Sequence, residues 1–118
     1  MGIKRFEDII AWEKAQNLAL QLYKLFRKHP DYAYTNQITK AAVSISNNIA
    51  EGFERQSYRD FSRFVSFALA SNSEVRSMLY LAPKLGYLDK EVSDNLISLT
   101  NDISRLLYGL KKSLKSQS

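Results

Sequence analysis

Basic residues near predicted helix ends are the side chains of this chain best suited to chemistry. Arg55, Arg59 and Arg63 recur at four-residue spacing, and Lys111 and Lys112 lie in a stretch that holds no acid after residue 102. Lys and Arg side chains neutralise phosphate groups, which is how proteins hold nucleic-acid backbones. The pattern predicts a phosphate-contact surface, and a solvated helix end with favourable dipole interactions is the alternative reading.

Aromatic side chains are interleaved with these arginines. Tyr58, Phe61, Phe64 and Phe67 fall in the same segment, and exposed rings beside arginines can stack on single-stranded bases. Helical spacing assigns Phe61 and Phe64 to the core. Tyr58 and Phe67 are therefore the rings that we expect on the surface.

Patterns that indicate catalysis are scarce. The chain has no Cys, and its one histidine, His29, adjoins Pro30 in a predicted turn; these facts exclude thiolate chemistry and the Glu-x-x-His pairs of di-iron bundles. Neither a glycine-rich phosphate loop nor a nucleophile elbow is present. We predict a protein that is not an enzyme and needs no metal or cofactor. An enzyme or small-ligand binder would instead use a polar pocket near Asn48, Glu51 and Asn72.

Four amphipathic helices are predicted to position these side chains, over about residues 7–28, 35–54, 57–85 and 89–114. Thr35 and Asp89 are predicted N-caps, Ser57 begins a capping box, and Gly86 is a predicted C-terminal stop. No segment shows sustained strand alternation. The expected fold is all-α, a single domain over residues 1–118 that forms an up-down-up-down antiparallel four-helix bundle.

The predicted inward faces follow helical spacing. On the first helix the face is Ala11, Ala15, Leu18, Ala19, Leu22, Leu25 and Phe26. On the third helix it is Phe61, Phe64, Val65, Ala68, Val75, Leu79 and Ala82, with Asn72 in its middle. On the fourth helix a heptad seam is predicted at Val92, Leu96, Leu99, Ile103, Leu106 and Leu110.

The second predicted helix contains many small and polar residues, and it has apolar residues on two sides. Its inward face is Ile38, Ala41, Ala42, Ile45 and Ile49. A helix with two apolar sides usually contacts two neighbours, so we predict a homo-oligomer. The predicted subunit interface is Val43, Asn47, Ala50, Glu51 and Phe53.

Antiparallel topology would gather basic helix ends at one pole of the bundle, where several acids would partly offset them. The predicted nucleic-acid-binding residues are Lys4, Arg5, Arg55, Arg59, Arg63, Lys111, Lys112 and Lys115. A symmetric ring of such poles would present several times the charge of one copy.

Residues 6–15 read F-x-D-I-x-x-W-x-x-A, and residues 37–52 read Q-I-x-x-A-A-x-S-I-x-x-N-I-A-E-G. These two segments resemble the bacterial four-helix-bundle proteins called 23S rRNA intervening-sequence proteins. Arg55, Phe61, Phe64, Ala68 and residues 85–88 extend the similarity over nearly the whole chain. The resemblance implies a small bundle that assembles into a ring, typically a pentamer, and the family name records a gene location and not an activity.

The accessory variability proteins of diversity-generating retroelements are similar as well. That resemblance implies a pentameric barrel that binds a reverse transcriptase and RNA. Two positions depart from the pattern: Ser46 replaces a frequent proline, which should leave the helix straighter, and Thr39 with Lys40 replaces a frequent basic pair. The second departure weakens the transfer of a nucleic-acid surface to that helix.

The absence of Cys and of a long apolar segment favours a cytoplasmic protein. Seventeen Lys and Arg against twelve Asp and Glu give a formal net charge of +5, and no apolar run approaches the roughly 20 residues that span a bilayer. We expect an oligomer that contacts RNA through repeated basic helix ends and makes no membrane contact. The alternative is a homo-oligomeric scaffold that binds another protein without touching nucleic acid.

Overall fold

The protein forms four α-helices in the computed structural model, which describes residues 2–117. A short 3₁₀ helix, Phe6–Asp8, precedes them, and residues 2–117 contain no strand. The helices are α1 (Ile10–Phe26), α2 (Tyr32–Phe53), α3 (Tyr58–Lys84) and α4 (Lys90–Gln117). The predicted all-α class with four helices is confirmed. In this described part of the chain, no helix combines the length and apolar character that a membrane crossing requires.

The helix caps agree with the sequence at α3 and differ at α2. The Ser57 hydroxyl accepts the Asp60 amide proton at 3.1 Å, and Gly86 ends α3 with a φ of 75°, as predicted. At α2 the Asp31 carboxylate accepts the Tyr34 amide proton at 3.0 Å. Thr35 was therefore the wrong N-cap, because Asp31 lies directly after the turn and satisfies the first free amides of the helix.

The buried faces of α2 and α3 are those predicted, whereas α1 and α4 differ. On α1, Leu25 is 43% exposed and the rest of the predicted face is buried. On α4 the seam is displaced: its buried residues are Ser93, Leu96, Ile97, Thr100, Ile103, Leu107 and Leu114. The other four predicted seam residues are only partly buried and flank this line.

Hydroxyl groups explain the displaced seam on α4. The Ser93 hydroxyl donates to the carbonyl oxygen of Leu79, and the Thr100 hydroxyl donates to the carbonyl oxygen of Ile97 at 2.6 Å. A buried hydroxyl costs little when its hydrogen bond is made to a nearby carbonyl. A hydropathy pattern therefore misplaced the seam by excluding these small polar residues from the core.

Contacts between α2 and α3 pair the start of α2 with the end of α3 and the end of α2 with the start of α3. The Tyr34 hydroxyl donates to the Met78 carbonyl oxygen at 2.6 Å, and the hydroxyls of Ser44 and Ser71 lie 3.0 Å apart. Gly52, near the end of α2, lies against α3 side chains of the first turns. The end of α2 and the start of α3 are therefore neighbours.

Contacts between α3 and α4 likewise pair later residues of α3 with earlier residues of α4. Leu79 meets Ser93, while the Asn72 amide donates to the Thr100 carbonyl oxygen at 2.8 Å. Helix α1 contacts both α2 and α4, so one hydrophobic cluster draws side chains from all four helices. This arrangement brings the start of α3 beside the end of α4.

Candidate nucleic-acid interface

Two adjoining grooves lie where α3 begins and α4 ends, and together they form what we call the basic end. The first, the arginine groove, is lined by Arg55, Gln56, Ser57, Arg59, Asp60, Ser62, Arg63, Ser66 and Lys111. The second, the tyrosine groove, is lined by Tyr58, Arg59, Ser62, Tyr108, Lys111, Lys112, Leu114 and Lys115. Arg59, Ser62 and Lys111 line both grooves.

The basic end gathers most of the predicted nucleic-acid-binding residues. It contains Arg55, Arg59, Arg63, Lys111, Lys112 and Lys115. Helical spacing places them: Arg59 and Arg63 lie one turn apart on α3, and the basic residues of α4 recur at spacings of three and four residues. A surface that is scattered in the sequence is thereby assembled from the ends of three segments.

Lys4 and Arg5, the other two predicted binding residues, line neither groove. Arg5 forms an ion pair with Glu7, with 2.7 Å between Nη2 and Oε2. The 3₁₀ helix that follows contacts α1 and α2, and its Phe6 ring meets the Trp12 ring edge-on with centroids 5.4 Å apart. These contacts hold the segment against α1 and α2.

Two arginines of the basic end are held in position by their own neighbours. Arg63 donates from Nε and Nη2 to one Asp60 oxygen at 2.9 and 2.6 Å, and Arg55 Nε lies 3.9 Å from the other. Both guanidinium groups also lie over the Phe64 ring, at 4.5 Å for Arg55 and 5.1 Å for Arg63. Exposed ion pairs add little stability, and Asp60 with the Phe64 ring defines the orientation that the two guanidinium groups take in this structure.

Three other cations at the basic end are not ion-paired in the described part of the chain. Within residues 2–117, Arg59, Lys111 and Lys112 form no ion pair. Asp60 is the only acid among the described residues that line the two grooves, and it is already bound to Arg63. The positive charge of the grooves is therefore largely uncompensated.

The tyrosine groove exposes two aromatic rings. Tyr58 is 39% exposed and Tyr108 is 63% exposed. Phe61 and Phe64 are buried and Phe67 is exposed, as the helical spacing predicted. Tyr108 was missed by the sequence analysis, although its place three residues before Lys111 puts both on one face of a helix.

The predicted subunit-interface residues divide between a surface groove and the core. Val43, Asn47 and Glu51 line a groove along α2 together with polar neighbours. Phe53 packs edge-on against Phe61 of its own chain, with ring centroids 6.0 Å apart. Ala50 is half-buried and lies outside the α2 groove. Most of this predicted face thus remains partly open in one copy.

Of the polar residues considered for a small-ligand site, Asn48 and Glu51 line the α2 groove, whereas Asn72 does not. Asn72 is fully buried and points its amide at α4, where Thr100 and Ser104 accept. Asn48 donates to the Ser44 carbonyl oxygen at 2.8 Å on α2, and Glu51 is exposed beside it. Across residues 2–117, no three His, Cys, Asp or Glu side chains converge on a point where a metal ion could bind.

A second polar group, the Asp31 cluster, lies at the other end of the helices and consists of His29, Asp31, Tyr34 and Tyr87. The Tyr87 hydroxyl donates to Asp31 Oδ2 at 2.5 Å, and the Asp31 amide donates to His29 Nδ1 at 3.2 Å. The Tyr87 hydroxyl, followed by the Tyr34 amide, lowers the pKa of Asp31. Burial raises the pKa of Tyr34 to about 12.

The Asp31 cluster therefore satisfies its polar groups internally. Its rings also pack together, with the His29 and Tyr87 centroids 4.2 Å apart and those of Tyr34 and Tyr87 5.2 Å apart. Such a closed network supports the fold. At the basic end, in contrast, Arg59, Lys111 and Lys112 form no ion pair within residues 2–117.

Comparison with known proteins gives a family and a fold. The family model described as 23S rRNA-intervening sequence protein matches residues 7–109. A crystal structure of a protein of unknown function from the S23 ribosomal protein family of Bacteroides thetaiotaomicron is similar, with 24% identity and a TM-score of 0.81. The alignment covers 87% of this chain and 99% of that one, which shows a shared fold. No curated protein is significantly similar.

Proposed function

The chain belongs to the 23S rRNA-intervening sequence protein family, and we propose that it is a non-enzymatic, oligomeric nucleic-acid-binding or accessory protein. Its contact with RNA is made through the basic end. The observation that carries this proposal is the pair of adjoining grooves in which Arg59, Lys111 and Lys112 have no acidic partner among residues 2–117. Phosphate groups supply the missing negative charge.

The held arginines support the same proposal. Because Asp60 and Phe64 fix Arg55 and Arg63, these guanidinium groups lose little conformational freedom when a phosphate binds. Arg59, Lys111 and Lys112 add charge and form no ion pair within residues 2–117. The combination of two positioned arginines and several unpaired cations suits an anionic polymer better than a single small anion.

The assembly belongs to this proposal as well. In the contacts between consecutive helices, the start of one helix lies beside the end of the next, which supports an up-down-up-down antiparallel bundle. We propose that several copies join in a ring, with five copies as the resemblance implies. The α2 groove lined by Val43, Asn47 and Glu51 is the proposed contact between copies. A ring would repeat the basic end and raise the affinity for one RNA through avidity.

A protein-binding scaffold without nucleic-acid contact is the second candidate. Leu20, Tyr23 and Tyr32 are exposed large apolar residues, and they line one groove between α1 and α2. A partner helix could lay apolar side chains there. Salt separates the two candidates, because phosphate binding weakens steeply as salt rises and an apolar contact does not.

Charge reversal at the end of α4 tests the proposed function. In fluorescence anisotropy with a labelled RNA, we expect Lys111→Glu with Lys112→Glu to weaken binding by roughly tenfold or more and to lower the salt slope by about two. Lys24→Glu with Lys28→Glu is the matched control, because both residues are exposed and the net charge changes equally. Circular dichroism should show unchanged helicity in both variants.

Equal weakening by both double variants would mean that only net charge matters, and the basic end would lose its assignment. Wild-type protein that binds no RNA at low salt would overturn the proposed function and favour the scaffold. The assembly is checked separately by multi-angle light scattering at micromolar concentration. A monomer there would contradict the ring while leaving the RNA contact open to the anisotropy assay.

A further inference from the structure

We propose that the tyrosine groove selects single-stranded RNA, with unpaired bases stacked on the rings of Tyr58 and Tyr108. The inference rests on the proposed function and narrows its ligand from RNA in general to unpaired nucleotides. Tyr58 and Tyr108 come from different helices and line one groove. The groove therefore offers aromatic surface from both of its walls.

Neither tyrosine has a hydrogen-bonding or aromatic partner in the described part of the chain. Tyr58 and Tyr108 are 39% and 63% exposed, and within residues 2–117 neither makes a hydrogen bond or a ring contact. Phenylalanines of the same region do have internal partners, since Phe64 packs against Phe67 and two arginines lie over the Phe64 ring. Exposed rings without internal partners are available to a ligand.

Each wall of the groove carries one ring and at least one cation. Tyr108 is followed by Lys111, Lys112 and Lys115 at three, four and seven residues, and Tyr58 is followed directly by Arg59. A single strand presents bases and phosphates at neighbouring positions, so it can engage rings and cations together. A duplex keeps its bases inside the stack, and its phosphates alone would reach the groove.

The composition of the groove argues against an acidic peptide as its preferred occupant. Carboxylates could satisfy Lys111 and Lys112, but they would leave the two rings without a flat partner. Base stacking on aromatic side chains contributes to affinity without requiring a particular base sequence. The geometry therefore points to unpaired nucleotides with little sequence preference.

Paired tyrosine variants test this proposal. The probes are a labelled, unstructured single-stranded RNA and a duplex RNA of the same length. We expect Tyr58→Leu with Tyr108→Leu to weaken single-strand binding by about tenfold or more, while duplex binding and the salt slope stay as in the wild type. Tyr58→Phe with Tyr108→Phe keeps both rings and should retain the affinity. Tyr80→Leu is the matched control, because Tyr80 is 57% exposed on α3 and lines neither groove of the basic end.

A second readout reports stacking directly. RNA that carries 2-aminopurine changes its fluorescence when that base stacks on a ring, and the Leu pair should abolish the change that the wild type produces. Unaltered single-strand affinity in the Leu pair, together with weakened binding in the Lys111→Glu and Lys112→Glu variant, would overturn base stacking and leave the proposed function standing. Loss of both single-strand and duplex binding in the Leu pair would also overturn it, since stacking affects the single strand alone. If the wild-type protein binds neither RNA, the proposed function itself is contradicted, and the stacking proposal that rests on it is contradicted as well.

Discussion

The Asp31 cluster and the basic end both combine tyrosines with charged groups, but they differ in where their polar atoms find partners. In the Asp31 cluster, the Tyr87 hydroxyl and the Tyr34 amide both donate to one carboxylate. At the basic end, Tyr58 and Tyr108 make no hydrogen bond within residues 2–117. The comparison teaches that internal partners, and not residue types, distinguish the stabilising Asp31 cluster from the region that we propose binds RNA.

The physical reason is the cost of leaving polar groups without partners. A buried hydroxyl or carboxylate without a hydrogen bond lowers stability, so the cluster around the buried Tyr34 must be closed. An exposed lysine is hydrated and costs the fold little. The basic end can therefore keep unpaired cations without a penalty, and those cations remain open to phosphate.

Truncating one tyrosine from each end should give the largest contrast in stability. Tyr34 is 7% exposed and its hydroxyl bonds to Met78, so we expect Tyr34→Ala to lower the free energy of unfolding by about 3–5 kcal/mol. Tyr108→Ala, at an exposed position, should change it by less than about 0.5 kcal/mol. Urea unfolding followed by circular dichroism measures both. Similar losses would mean that the two ends do not differ in the way proposed.

The packing beneath the basic end gives a contrast of intermediate size. A Cβ added at Gly52 would lie 2.7 Å from Phe64 Cβ and 2.9 Å from Phe61 Cδ1, so α2 and α3 would have to move apart. We expect Gly52→Ala to lower the unfolding free energy by about 1–3 kcal/mol. It should also weaken RNA binding, because it would displace the Phe64 ring over which Arg55 and Arg63 lie.

Gly109→Ala is the control for that substitution. A Cβ at Gly109 meets nothing within 4 Å, so the better helix propensity of Ala should raise the unfolding free energy by up to about 1 kcal/mol. Thermal unfolding of both variants gives the comparison. A stabilised Gly52→Ala protein would show that the basic end does not rest on close helix packing.

The smallest expected effect is a difference in pH dependence between the two N-caps. The folded pKa of Asp31 lies below its ordinary value of 3.8, chiefly because the Tyr87 hydroxyl donates to the carboxylate. A lowered folded pKa stabilises the protein above pH 3.8, and this contribution disappears as the pH falls through the folded pKa. Asp31→Ala should therefore be less stable than the wild type at pH 7, and the gap should narrow below about pH 4.

Ser57→Ala removes the other N-cap, and Ser57 does not titrate. Its cost, about 1 kcal/mol, should stay constant from pH 7 to pH 3. Chemical unfolding at several pH values distinguishes the two caps. A gap for Asp31→Ala that stays constant over the same pH range would contradict the role given to the carboxylate in the cluster.

Much of the fold was predictable because short-range patterns govern it. Ile38, Ile45 and Ile49 lie on one face of α2 by helical spacing alone, and all are fully buried. Ser57 and Gly86 act through local geometry, so their roles as cap and stop were also predicted. The α4 seam was wrong because the burial of Ser93 depends on a carbonyl group of α3, which no pattern within α4 indicates.

The candidate site was predictable in part for the same reason. Arg59, Arg63 and Lys111 were identified from charge and from their places near helix ends. Lys4 was assigned to the same pole on topology, and it lines neither groove. Tyr108 was missed because its proposed role depends on its lining the same groove as Tyr58, a residue of another helix.

The sequence by itself determined the helical class, the buried faces of α2 and α3, and the supply of cations, since each follows from spacing and side-chain type along a few turns. Only the tertiary structure decided which cations share a groove, which of them have an acidic partner, and which tyrosines are closed into a network. Those properties depend on distances between helices, and residues far apart in sequence, such as Asp31 with Tyr87, meet only when the core packs.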